Sequence, residues 1–263
     1  MKTTGTYKIW QVIYPVGIYY VVSSIAYFVL AQLMGEQQET YMLRQLICAA
    51  ATIPFVMTFY RQDQTVIDNV YGKKQLTFSA EILRDATSAI VLGALWGIGI
   101  NNVIAMTPLM EYSAGFAEAN EAFFAGQVAY ELLGSCLMIP IAEELLYRGV
   151  VYRRLRLWLG VWPAVAVSAF VFGAVHVNLV QFLYAGVLGL LLAFLMEKSG
   201  SLYAPVLGHI AANVAAVVRQ ETGWLSFAYE PTAAGIGVTV AILAVATGLL
   251  VWRMRGYLRG IQA

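Results

Sequence analysis

Apolar residues run along this chain in windows of about 20, the length a helix needs to cross the hydrocarbon of a bilayer, and polar clusters separate them. Eight windows of that kind can be read: Ile9 to Gln32, Met42 to Tyr60, Ala86 to Met106, Phe123 to Gly149, Trp162 to His176, Leu179 to Met196, Leu202 to Val218 and Thr232 to Trp252. The fifth and sixth are short and nearly continuous. The pattern predicts an all-α, polytopic membrane bundle of about eight transmembrane helices. It is expected to form one integral-membrane domain over residues 1–263, with a core of motifs at 123–219.

The connections carry less information. Phe78 to Arg84 reads as a solvated linker in preference to a short interfacial helix, and the acidic stretch from Glu111 to Glu121 is expected along the outer surface. Gly93 and Gly97 form a small-xxx-small pair in the third window, which predicts close approach of a neighbouring helix. The fifth span is expected to tilt or to begin below the surface, after Gly160 and Pro163, with its link to the sixth buried in protein.

Composition sharpens the class. With 60% hydrophobic and 12% charged residues and a mean hydropathy of +0.70, the chain is too apolar for a soluble globule. A net charge of +1 leaves no basic stripe for a phosphate backbone, so nucleic acid is excluded as a partner. The first apolar run is too long for a cleaved signal. Cys48 and Cys136 lie inside apolar runs and are expected as buried thiols.

Charge asymmetry adds an orientation. With the N-terminus inside, the inner segments collect Lys2, Lys8, Arg61, Lys73, Lys74, Arg84, Arg148, Arg153, Arg154, Arg156, Lys198, Arg253, Arg255 and Arg259, leaving only Arg44 and Arg219 outside. That bias is what the positive-inside rule predicts, and it puts both termini on the cytoplasmic side.

The candidate chemistry begins in Ile139 to Gly149, where Glu143, Glu144 and Arg148 interrupt one of the most apolar regions. A charge at mid-bilayer costs roughly 2.5 to 3.5 kcal/mol on insertion scales, so such a cluster points to function. Glu144 and Arg148 are four apart and share a helix face. Glu143 points about 100° away and is read as the acid without a built-in partner, suited to general-base work. Pro140 is expected to bend the helix just before them. Glu131 lies about 120° around the same helix from Glu143 and is read as a structural hydrogen-bonding group.

Downstream, Phe172 and His176 are four apart, as are His209 and Asn213, and these are the only two histidines in the chain. Each pair alone fits packing or interhelical hydrogen bonding. Together, an acid, two imidazoles and an amide within residues 143–213 are the groups needed to activate water and hold an oxyanion.

Glu143-Glu144-x-x-x-Arg148, Phe172-x-x-x-His176 and His209-x-x-x-Asn213 resemble the three ordered motifs of the CPBP family, the CAAX proteases and bacteriocin-processing proteins also called Abi proteins. The resemblance implies an intramembrane endopeptidase of the glutamic type. By position, Glu143 would be the general base and His176 would orient or deprotonate the water. His209 and Asn213 would line the oxyanion site, while Glu144, Arg148 and Phe172 would support it. No cofactor is favoured. Zinc is the runner-up, held by Glu143, His176 and His209, although the chain has no His-Glu-x-x-His helix.

The expected partners are a peptide or membrane-protein substrate and membrane lipid, and the resemblance places the chain in a bacterial cytoplasmic membrane with its site toward the cytoplasm. Two other classes compete. One is a non-catalytic bacteriocin-immunity or scaffold protein of the same fold, and the other is a small transporter or proton-coupled carrier using Glu131, Glu143 and the two histidines as relay groups, for which the sequence shows no inverted repeat.

Overall fold

The computed structural model describes residues 5–71, 79–113, 115–176 and 178–262, and among these every regular element is helical. The helices are α1 (Gly5–Met34), α2 (Tyr41–Tyr71), α3 (Ala80–Ala105), the short α4 (Leu109–Tyr112) and α5 (Phe116–Phe124), α6 (Val128–Arg156), α7 (Val161–Ala174), α8 (Leu179–Ser199), α9 (Tyr203–Thr222) and α10 (Ala233–Gln262).

Each of the eight apolar windows falls mainly on helix, but they are not equally long or equally apolar. Five helices can cross a membrane by length and composition: α1, α2, α3, α8 and α10. A sixth span arises if α5 and α6, which pass the same test jointly across a break, count as one. The remaining two windows fall short for identifiable reasons. Helix α7 has only 14 residues. Helix α9 has 20 but dilutes its apolar content with His209, Asn213 and Arg219. The apolar helices make this an integral membrane protein.

The expected linker before the third span needs correction. Residues 72–78 lie outside the described residues, and from Ala80 onward the chain is already α3, so Ala80–Arg84 continues the span as helix. An alternation of Ala, Ile and Leu with charged residues gives that turn no reason to break.

The chain packs as two compact units, one from residues up to Ser79 together with Glu121–Ser168, the other from Ala80–Asn120 together with Ala169–Ala263. In the first, the turn joining α1 and α2 is clamped by Arg44, 1% exposed. Its Nη1 donates to the carbonyls of Gly35 at 2.6 Å and Gln37 at 3.2 Å, and to the hydroxyl of Thr40. At the other end of those helices Arg154 of α6 pairs with Asp63 at 2.8 Å and donates to the Gln11 carbonyl at 2.7 Å. Arg44 thus satisfies carbonyls at the α1 end and turn, and Arg154 satisfies the α1 carbonyl that Pro15, four residues on and without an N–H, leaves open. Cys48 and Cys136 are buried free thiols, as expected.

Helix α6 is not a regular α-helix. Leu132–Met138 and Tyr147–Tyr152 are π-helical, and the α-helical turns Ile139–Leu146 between them carry Pro140 in their first turn. The donor that proline lacks therefore falls where the helix has just changed its winding, which accommodates it.

In the second unit α3, α8 and α9 form the core around Leu92, Leu188, Leu191, Leu192, Leu195 and Ala212. A Cβ on Gly93 would run into the backbone of Gly208, and one on Gly97 would lie 3.0 Å from the Ala212 side chain. The small-xxx-small pair in α3 is thus where α9 crosses at backbone contact. Buried polar bolts fix the ends of this unit: Asp85 of α3 pairs with Lys198 of α8 at 3.1 Å and with Arg253 of α10, and Asn102 donates to Thr239 at 2.9 Å.

The link between α7 and α8 is buried only at its α8 end: Val175 and His176 are half-buried, and Asn178 is buried. Asn178 and Ser113 are 7% and 5% exposed. The Ser113 hydroxyl accepts from the Val180 N–H at 3.2 Å, and the Asn178 side chain caps α8 by accepting from the Gln181 N–H at 2.9 Å. Gly200 closes the other end of α8 in the left-handed conformation, φ +64.

Candidate active site

Two groups of site residues are built separately, one in each unit. Glu143, Glu144 and Arg148 stand on α6 in the first, whereas Phe172, His176, His209 and Asn213 stand on and after α7 and on α9 in the second.

The acidic group follows from helix spacing. Arg148 Nη1 meets Glu144 Oε1 at 2.8 Å, and both side chains are fully buried. The pair predicted from the four-residue interval is present, and its burial explains why the two occur together: either charge alone would be very costly there. Glu143 stands off that ion pair, yet it is not isolated. Its charge acts on Arg148, on Tyr147 one turn along the same face, and on Tyr19 and Tyr20 of α1. The hydroxyls of Tyr20 and Tyr147 are 3.1 Å apart, and Ser168 donates to the Tyr147 carbonyl at 3.3 Å. Of these tyrosines only Tyr147 had a signal in the sequence, its four-residue spacing from Glu143. Glu131 is also buried, 1% exposed, on the same helix, and its carbonyl accepts from the Ser135 hydroxyl at 2.7 Å.

The histidine group is organised by Phe172, which is 1% exposed. Its ring stands edge-on to His176 at 5.2 Å and to His209 at 5.8 Å, so one phenyl spaces both imidazoles. Gly173 lets α7 come this close to α8, since a Cβ there would lie 2.9 Å from the Phe182 carbonyl. Helix α7 ends at Ala174, which leaves His176 in the turn beyond it.

His176 Nδ1 lies 2.8 Å from the Phe172 carbonyl oxygen. A carbonyl can only accept, so Nδ1 carries the hydrogen and Nε2 of the neutral ring is left as a hydrogen-bond acceptor. A base or a water-orienting group needs that tautomer. His209 is 4% exposed. It follows Gly208, the residue crossed by α3, so the closest helix contact in the unit sets its position, and Asn213 stands one turn further along α9.

Among the described residues no three His, Cys, Asp or Glu side chains are grouped so as to hold a metal ion.

Comparison with known proteins adds a sequence relationship to this geometry. Residues 125–215 match a family model described as type II CAAX prenyl endopeptidase Rce1-like. The chain is also similar to the Bacillus subtilis (strain 168) protein named "Putative membrane peptidase YdiL", 27% identical over 89 residues. That alignment covers 34% of this chain and 36% of the relative, so the chain spans about a third of its length. No solved structure matches. The CPBP resemblance read from the three motifs is thus borne out over residues 125–215, the stretch that contains all three.

Proposed function

We propose that this chain is an intramembrane endopeptidase of the glutamic type, hydrolysing a peptide bond of a membrane-associated or lipid-anchored peptide near the cytoplasmic leaflet. Glu143 takes a proton from water, and His176 orients that water through Nε2. The resulting hydroxide attacks the scissile carbonyl. The tetrahedral oxyanion accepts hydrogen bonds from His209 and the Asn213 amide, and the proton held by Glu143 passes to the leaving amine as the C–N bond breaks. The products are a carboxylic acid and an amine, which exchange a proton to leave as carboxylate and ammonium. Glu144 and Arg148 hold the helix that carries the base.

The observation that carries this reading is the coincidence of three ordered motifs with the Rce1-like match over the same residues. The ring arrangement supports it, because Phe172 spaces two imidazoles and one of them has its tautomer fixed by the backbone. Excluding bulk water from such a site would strengthen each hydrogen bond to the oxyanion.

The test is cleavage by the purified chain in detergent micelles. Two fluorogenic probes are used, a peptide ending in a prenylcysteine tripeptide and a peptide with an N-terminal palmitoyl anchor. Glu143→Gln, Glu143→Ala and His209→Ala should each lose about 10²-fold or more in turnover. Unchanged cleavage by all three would remove the enzymatic reading. Activity lost on strict chelation and restored by zinc would replace the metal-free mechanism with the zinc one.

A further inference from the structure

We propose that Tyr147 and Tyr20 form a phenol pair that positions Glu143 for the reaction. This inference rests on the peptidase reading and adds two residues that the three motifs do not specify, Tyr147 at a variable position of the first and Tyr20 outside all of them.

Tyr147 stands four residues after Glu143, so the two side chains share one helix face. It is fully buried, and its hydroxyl lies 3.1 Å from that of Tyr20, which reaches across from α1, 127 residues earlier in the chain. Tyr20 stands at the edge of the unit, 36% exposed, and its neighbour Tyr19 is 7% exposed. In an apolar helix crossing, phenols bring a dehydration cost that Phe or Leu would not, unless each O–H finds an acceptor. The shared bond between Tyr20 and Tyr147 uses one of their two protons. The second needs another acceptor, and Glu143 is the carboxylate one turn before Tyr147 on the same helix face.

The backbone is held to match. Ser168 donates to the Tyr147 carbonyl, and Tyr147 opens the π-helical turn that overlaps the end of the first motif at Arg148. The Tyr147 N–H still donates to the Glu143 carbonyl, so the two keep helical register where the widened turn begins, and such turns recur at functional sites. The pair does not touch the peptide in this scheme. It acts through Glu143, orienting the carboxylate toward the water.

The experiment compares wild type, Glu143→Gln, Tyr147→Phe, Tyr20→Phe and the double Tyr20→Phe/Tyr147→Phe variant. Each full-length protein is assayed in micelles with both anchored probes, and its unfolding midpoint is recorded. Tyr147→Phe should lose about tenfold in kcat with KM nearly unchanged, roughly the value of one hydrogen bond in the transition state. Tyr20→Phe should lose less, and the double variant should match Tyr147→Phe, because Tyr20 works through its partner.

Wild-type kcat in the Phe variants alongside an inactive Glu143→Gln would overturn the positioning role and leave the proposed function intact. Full activity of Glu143→Gln would instead remove the function, and this inference with it. A loss confined to KM would also overturn the role. If Tyr147→Phe does not fold, Tyr20→Phe decides alone: wild-type kcat in it rejects the pair, and lowered kcat at an unchanged unfolding midpoint supports it.

Discussion

The Phe172 and His209 rings meet edge-on at 5.8 Å with an interplanar angle of 80°. Two residues 37 positions apart in sequence, on different helices, are thereby held at a fixed spacing in one unit. Phe172 also faces His176, so it sets the separation between both imidazoles. Phe172→Leu, which keeps apolar volume but loses the flat ring, should therefore lower kcat by about 10- to 100-fold through misplacement of the histidines. Phe172→Ala should in addition destabilise by about 3–5 kcal/mol through the cavity it leaves. Steady-state kinetics together with unfolding in mixed micelles separate the two effects.

Arg148→Ala should cost about 3–5 kcal/mol, since it leaves the buried Glu144 carboxylate without its 2.8 Å partner. The paired change Glu144→Leu with Arg148→Met removes both charges and should recover most of that loss. Denaturation of the three proteins under one set of conditions gives the comparison. A double variant no more stable than Arg148→Ala would show that the pair supplies something other than mutual charge compensation.

Gly93→Ala should prove more damaging than its size suggests. The added methyl meets the backbone of Gly208, next to His209, and backbone cannot swing aside as a flexible side chain would. A loss of about 1–3 kcal/mol is expected from the overpacking, accompanied by reduced cleavage. Gly17→Ala, where nothing lies within 4 Å of the new methyl, is the control and should leave both properties unchanged.

How much of this was legible beforehand depends on how local each feature is. The Glu144 and Arg148 pair, the small-residue contact in α3 and the apolar windows all follow from spacing within one helix, and sequence shows them directly. Phe172 was visible as a motif position, but its contact with His209 depends on how α7 and α9 pack. Tyr20 had no signal at all, because its partner lies 127 residues away and a tyrosine in an apolar run reads as ordinary packing. The π-helical turns around the motif were equally hidden: the residues that widen a helix by one position have no periodicity of their own. The windows on α7 and α9 gave no sign that one helix is short and the other polar, because a window counts apolar residues without knowing where protein, rather than lipid, surrounds them.

The central claim of the proposed function is that Glu143 and His209 serve one hydrolytic step. Kinetic coupling between Glu143→Ala and His209→Ala tests it most directly, using the single variants and the double variant in the same cleavage assay. Residues that serve one chemical step as a unit are non-additive, so the double variant should be no slower than the slower single one. Rate losses that multiply, leaving the double variant slower by the product of the two, would contradict a shared site.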